Sequence, residues 1–142
     1  MWNVCSNGTS KQGGSEQPSG NWSNLYTTND IISIAMDLDN GFIYWHKNGT
    51  YLNSGVPTSA GTGTGGYALS NIANSSGTTN AYAMGVSLAN TGGSRSISAN
   101  FGNGTFGTTA ISSEGTNASG IGKFEYDVPA NYTALSTKGL NE

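Results

Sequence analysis

The chain has 142 residues, of which 9% are charged and 22 are glycine, with a net charge of −3 and one cysteine. Such scarcity of Lys and Glu argues against long solvated helices, and the scattered cations Lys11, Lys47, Arg95, Lys123 and Lys138 leave no footprint for nucleic acid or an anionic membrane. A lone Cys5 gives neither an internal disulfide nor a multi-cysteine metal site, and no apolar run approaches the roughly 20 residues of a bilayer span.

Small polar residues mixed with β-branched and aromatic ones suit strands and turns, so the predicted class is all-β, and the length suggests one domain over residues 1–142. Residues 1–21 read as an edge strand at Met1-Trp2-Asn3-Val4 and a polar loop or irregular hairpin punctuated by Pro18. Trp22, Leu25 and Tyr26 are expected to pin the end of that loop to the core. The central strands span 22–101. In the first of them Ile32, Ile34, Met36 and Leu38 alternate with Ser33, Ala35, Asp37 and Asp39, which places the apolar set on one sheet face and the carboxylates on the other.

Asn40-Gly41 then supplies the positive φ values of a hairpin turn, the strand Phe42–Lys47 follows, and Asn48-Gly49 makes a second turn of the same chemistry. Two such turns around one aromatic-rich strand predict a β-meander. Tyr51-Leu52 comes next, and residues 53–80 read as a long Gly/Ser/Thr/Asn insertion around Tyr67. Tyr82, Met84, Val86 and Leu88 mark another half-buried strand, residues 90–94 a turn, and Ile97, Ala99 and Phe101 a third strand with Phe101 in the core. A second glycine-rich insertion fills 102–122. Residues 123–142 hold a closing strand ended by Pro129, with Tyr132 and Leu135 expected to pack back onto the sheet.

The residues able to carry chemistry have structural readings throughout. Asp37, Asp39 and Asn40 lack the alternate oxygen ligands and the distal Glu of a calcium loop, so they read as turn residues. Gly61-x-Gly63-x-x-Gly66 matches a dinucleotide fingerprint in letters alone, with no preceding βαβ strand, following helix or acidic ribose partner. His46, the only histidine, has no spacing that pairs it with Cys5 or with a Ser/Asp set, and reads as structural. Asp30, Asp37, Asp39, Glu125 and Asp127 could in composition supply a glycosidase pair, yet strand ends and turns give them simpler roles. Neither catalytic residue, metal nor cofactor is expected. Sequons at Asn7, Asn21, Asn48, Asn74, Asn103, Asn117 and Asn131 arise by chance in a chain this rich in Asn, Ser and Thr, and the start lacks the basic and apolar regions of a secretory signal.

Five groups of residues in order then carry a resemblance. These are Asp30-Ile31-Ile32; Met36-Asp37-Leu38-Asp39-Asn40-Gly41; Tyr44 with Lys47-Asn48-Gly49; Ala99-Asn100-Phe101-Gly102; and Phe124-x-Tyr126 leading to Pro129, Tyr132 and Ala134-Leu135. Over residues 22–136 the chain resembles the SPRY family, the concanavalin-like sandwich also found in B30.2 domains, and Asn100-Phe101-Gly102 followed by a long glycine-rich insert, with the ending Ala134-Leu135-Ser136-Thr137-Lys138-Gly139-Leu140, is most similar to SPRY-like modules of tailed-phage structural proteins.

The resemblance implies an antiparallel β-sandwich of jelly-roll type. In the family several strands precede the point where this chain starts, so they are expected to be missing or supplied by a neighbour. It also implies a non-enzymatic role on a virion assembled in the host cytoplasm: a tail fibre, tail-associated or capsid decoration protein, adhering to a host-surface glycan or protein or assembling with other virion subunits as a homo- or hetero-oligomer. The alternatives are an intracellular SPRY protein-interaction module and a glycan-cleaving enzyme. Candidate ligand- or partner-binding residues are Tyr67, Trp22, Asn74 and Arg95. Tyr67 is the foremost, set next to Gly65-Gly66 in the first insertion.

Overall fold

The computed structural model describes residues 2–4, 10–12, 15–16, 27–69, 85 and 96–136, and the structure below is that of these residues. The chain divides into two compact units, Met1–Ser70 and Asn71–Glu142. The elements are strands and short 3-10 turns, and every named strand pairing is antiparallel. The protein belongs to the all-β class. The predicted strand through residues 82–88 and the turn at 90–94 lie outside the described residues, Gly85 excepted.

In the first unit β1 (Trp2–Val4), β2 (Ser10–Gln12) and β3 (Ser15–Glu16) form a three-stranded sheet in that order. A second sheet is built on β4 (Ile32–Asp37) and β5 (Phe42–Lys47), paired in full register from Ile32↔Lys47 to Asp37↔Phe42. The far edge of β5 is shared by β6 (Thr50–Tyr51), opposite His46 and Lys47, and β7 (Tyr67–Ala68), opposite Phe42 and Ile43.

The two Asn-Gly turns differ. Asn48 and Gly49 both have positive φ (49° and 83°), as a tight two-residue hairpin requires. Between β4 and β5, by contrast, residues 38–41 form a four-residue turn in which only Gly41 is left-handed (φ 82°). Asp37 closes it: its backbone carbonyl accepts from Gly41 N–H at 2.9 Å, and its carboxylate accepts from Asn40 N–H and Asn40 Nδ2 at 2.9 and 2.8 Å. The positive φ expected at Asn40 is unnecessary because the extra residues turn the chain more gradually.

Register fixes the sheet faces. Ile32, Ile34 and Met36 share one face with Lys47, Trp45 and Ile43, while Ser33, Ala35 and Asp37 share the other with His46, Tyr44 and Phe42. The face expected to be polar and solvated is in fact a core face: Ala35, Tyr44 and His46 are only 5%, 1% and 4% exposed. Its cover is the chain from Leu52 to Gly66, which makes a 3-10 turn at Leu52–Ser54, a second at Pro57–Thr62, and then closes on the rings of Tyr44 and Phe42. Gly63, at φ 58°, sits where any Cβ would enter the Phe42 ring. Small Ser33 and Ala35 make room across the sheet for these aromatic rings. Leu38, expected on the apolar face, lies in the turn and is 49% exposed.

In the second unit β8 (Thr105–Phe106) and β9 (Thr109–Ala110) form a hairpin inside the predicted second insertion. Residues 102–117 run beside 123–128 through two isolated parallel bridges, Asn103↔Lys123 and Asn117↔Val128. Three expectations are corrected here. Residues 96–100 form no strand, and Ile97 and Phe101 are 53% and 46% exposed rather than core, because the chain leaves extended geometry at Gly102 (φ 87°) and Asn100 folds back onto the following loop. The closing strand is reduced to the bridges at Lys123 and Val128, where scattered backbone bonds (Lys123 N–H to Gly102 O, Gly115 N–H to Phe124 O and Val128 N–H to Thr116 O) and side-chain bonds stand in place of a continuous ladder. Leu135, 62% exposed, does not pack back.

Candidate functional site

The best-defined polar cluster lies where β4 begins and β5 ends, around the Asn48-Gly49 turn. Asn48 exchanges backbone and side-chain bonds with Ile31: its N–H donates to Ile31 O at 2.9 Å and its Oδ1 accepts from Ile31 N–H at 2.8 Å. Its Nδ2 donates to Asp30 at 2.6 Å, and Lys47 Nζ pairs with the same carboxylate at 3.0 Å. Asp30 also accepts from Thr27 N–H at 2.7 Å. These contacts, the Thr27 amide first and then Asn48 and Lys47, hold the Asp30 carboxyl far below the usual aspartate range.

On the opposite face of β5, His46 Nδ1 accepts from Gly49 N–H at 3.2 Å, and its ring stands edge-on to Tyr51 at 5.1 Å. Burial pushes this imidazole below its ordinary value of 6.5. A shallow recess of about 260 Å³ beside the turn is lined by Lys47, Asn48, Thr50 and Leu52. Its charged and amide groups are already engaged by Asp30, so the cluster is a clasp that fastens a hairpin. In the sequence Asp30, Lys47, Asn48 and Gly49 stand out as parts of a resemblance but not as one another's partners; their positions at the two ends of paired strands were the available signal.

The second feature is the way the polar segments are tied down. Between Val56 and Gly66, Ser59 Oγ accepts from Thr64 N–H at 2.9 Å, Thr62 Oγ1 donates to Ser59 O at 2.7 Å, and Val56 N–H reaches Thr64 O at 2.9 Å. In the second unit Asn100 Oδ1 accepts from Gly102 and Gly104 N–H (2.8 and 3.3 Å) while Nδ2 donates to Lys123 O at 3.0 Å. Asn117 likewise donates to Ile121 O and accepts from Ser119. Glu125 takes the Ser112 N–H at 2.7 Å and the Ser112 hydroxyl, and Asp127 takes Thr116 N–H at 2.6 Å. These bonds lower both carboxyls below their usual ranges. Asp30, Asp37, Glu125 and Asp127 thus act as backbone brackets, the structural role expected of them. Thr58, Thr62, Thr108, Thr109 and Ser113 remain exposed on these ordered segments.

Tyr67 does not stand on a loop. It pairs with Ile43 in β7 and is 5% exposed, so its ring offers a ligand almost no surface. The two glycines before it serve packing instead, Gly66 lying directly against the Tyr44 ring and Gly65 against Asn53 and Gly55. Trp22, Asn74 and Arg95 lie outside the described residues. Among the described residues no three His, Cys, Asp or Glu side chains group as metal ligands, and no helix is long and apolar enough to cross a membrane. Comparison of the chain with protein-family models, with curated proteins and with solved structures returned no match.

Proposed function

We propose that this chain is a non-enzymatic recognition or structural module with a SPRY-like antiparallel β-sandwich, carried on a phage virion and serving host-surface adhesion or particle assembly. The observation that supports this reading is the ordering of its polar excursions. The 56–66 segment bonds backbone groups to its own Ser and Thr side chains, the 102–122 segment has backbone groups held by Asn100, Asn117, Ser119, Glu125 and Asp127, and both still leave hydroxyls at the surface. A surface fixed before binding avoids the entropy of ordering a loop on contact, which suits many weak hydrogen bonds to a glycan or a neighbouring subunit. The resemblance in residues 22–136 supplies the virion context.

The test is direct. Labelled chain is applied to an array of bacterial surface polysaccharides and to whole cells, beside a variant carrying Thr108→Ala, Thr109→Ala and Ser113→Ala. Binding reduced at least tenfold in the variant supports adhesion through the second excursion. Equal binding by both proteins refutes that surface, and absence of the chain from purified virions refutes the virion setting. Shortening of any polysaccharide on incubation overturns the non-enzymatic assignment.

A further inference from the structure

We propose that the Asn48-Gly49 turn is an acid-sensitive latch, closed by neutral His46 and opened when that imidazole takes a second proton. This role is separate from recognition and rests on the geometry of the turn.

His46 is 4% exposed, and its Nδ1 accepts the Gly49 N–H. That acceptor role places the ring's single proton on Nε2. A proton added at Nδ1 turns the acceptor into a donor aimed at another donor, so the Gly49 bond cannot survive it. The same proton also creates a cation in a nearly dry site.

The described residues on that face bring one carboxylate, and it is remote. Across β4 stand Ser33 and Ala35, with Asp37 four register positions from Ser33 at the far end of the strand; β5 contributes Tyr44, and β6 contributes the phenol of Tyr51. The covering segment, residues 52–66, carries no ionisable side chain. The Asp30–Lys47 ion pair described at this end of β5 belongs to the opposite face, and its partners neutralise each other.

Opening would spread along two paths. The turn holds β6 to β5 through His46↔Tyr51 and Lys47↔Thr50, and β6 leads into the 3-10 segment that covers Tyr44. It also carries Asn48, which clasps Ile31 and Asp30 at the start of β4. One protonation therefore loosens both strands flanking the end of β5. The event is isolated in pH: His46 is the chain's only histidine, and Asp30 stays ionised well below the histidine range.

The sign follows from linkage. The unfolded chain binds the proton near the ordinary 6.5 and the folded chain below it, so stability is full above that value. It then falls, by up to tenfold in the folding constant per pH unit, until the folded value is reached. Urea unfolding and Gly49 amide exchange are measured on the full chain from pH 7.5 to pH 5, with His46→Phe as the variant that keeps a ring against Tyr51 but cannot titrate. Wild-type stability and Gly49 protection that fall together, against a flat His46→Phe profile, are the expected result. A flat wild-type profile, or the same fall in His46→Phe, overturns the proposal. Should His46→Phe not fold, an NMR titration of the wild-type imidazole decides. A value well below 6.5 with the Gly49 amide following it supports the latch; a value at or above 6.5, or a Gly49 amide that ignores the titration, overturns it.

Discussion

Gly66→Ala tests the packing of the first unit at its tightest point. An added Cβ would lie 2.6 Å from Cε1, 2.8 Å from Cζ and 3.2 Å from Cδ1 of Tyr44. To reach ordinary van der Waals contact the two groups must separate by about 0.8 Å. The ring has nowhere to go. Tyr44 is 1% exposed, and a Cβ at Gly55 would also stand 3.3 Å from Cδ1, so two glycines lie close against one buried aromatic ring.

Overpacking of a filled core costs about 1–3 kcal/mol, and an immovable neighbour puts this site near 3 kcal/mol, roughly a hundredfold in the folding constant. Urea unfolding followed by tryptophan fluorescence reads it as a lower midpoint at unchanged slope. The control is the cycle with Tyr44→Leu, which removes the outer ring atoms. In that background Gly66→Ala should cost less than about 1 kcal/mol, giving a coupling of about 2 kcal/mol. A single variant within about 0.5 kcal/mol of wild type, or additive effects in the cycle, would refute the claim that Tyr44 and Gly66 share this contact.

Two further substitutions probe the clasp and the second unit. Asp30→Asn removes a carboxylate whose folded value is depressed, so its stabilisation exists above the ordinary 3.8 and is lost only as pH falls through the lower folded value; acid titration of stability below pH 3.8 should be shallower in the variant than in wild type. An identical acid profile would mean the clasp does not depend on that charge. Asn100→Ala strips the acceptor from Gly102 and Gly104 N–H and the donor to Lys123 O, and should cost about 2 kcal/mol. Amide exchange at Gly102 and Gly104 should accelerate selectively, and unchanged protection there would discount the bracket.

The residues disclose local chemistry on their own. The alternation after Asp30 and the Asn-Gly pairs mark β4, β5 and the turn between β5 and β6, because strand period and positive φ are properties of a few adjacent residues. The turn carboxylates are legible for the same reason: Asp37 bonds Asn40 three residues away. The failures share the opposite cause. Ile97 to Phe101 alternates as well as Ile32 to Met36 does, yet a strand also needs a partner, and alternation does not supply one. Tyr67, after Gly65-Gly66, carries the letters of a loop anchor, but Ile43 draws it into the sheet.

An all-β chain, its central hairpin and the bracketing chemistry of its Asn and Asp residues thus follow from residue order, since each depends on composition or on neighbours along the backbone. Which sheet face is core does not, because that depends on the 52–66 segment folding over Ser33, Ala35 and Tyr44. Long-range folding is also what makes Asp30, Lys47 and Asn48 meet. The same folding buries the one histidine against a turn amide, and burial rather than residue type is what makes its protonation costly.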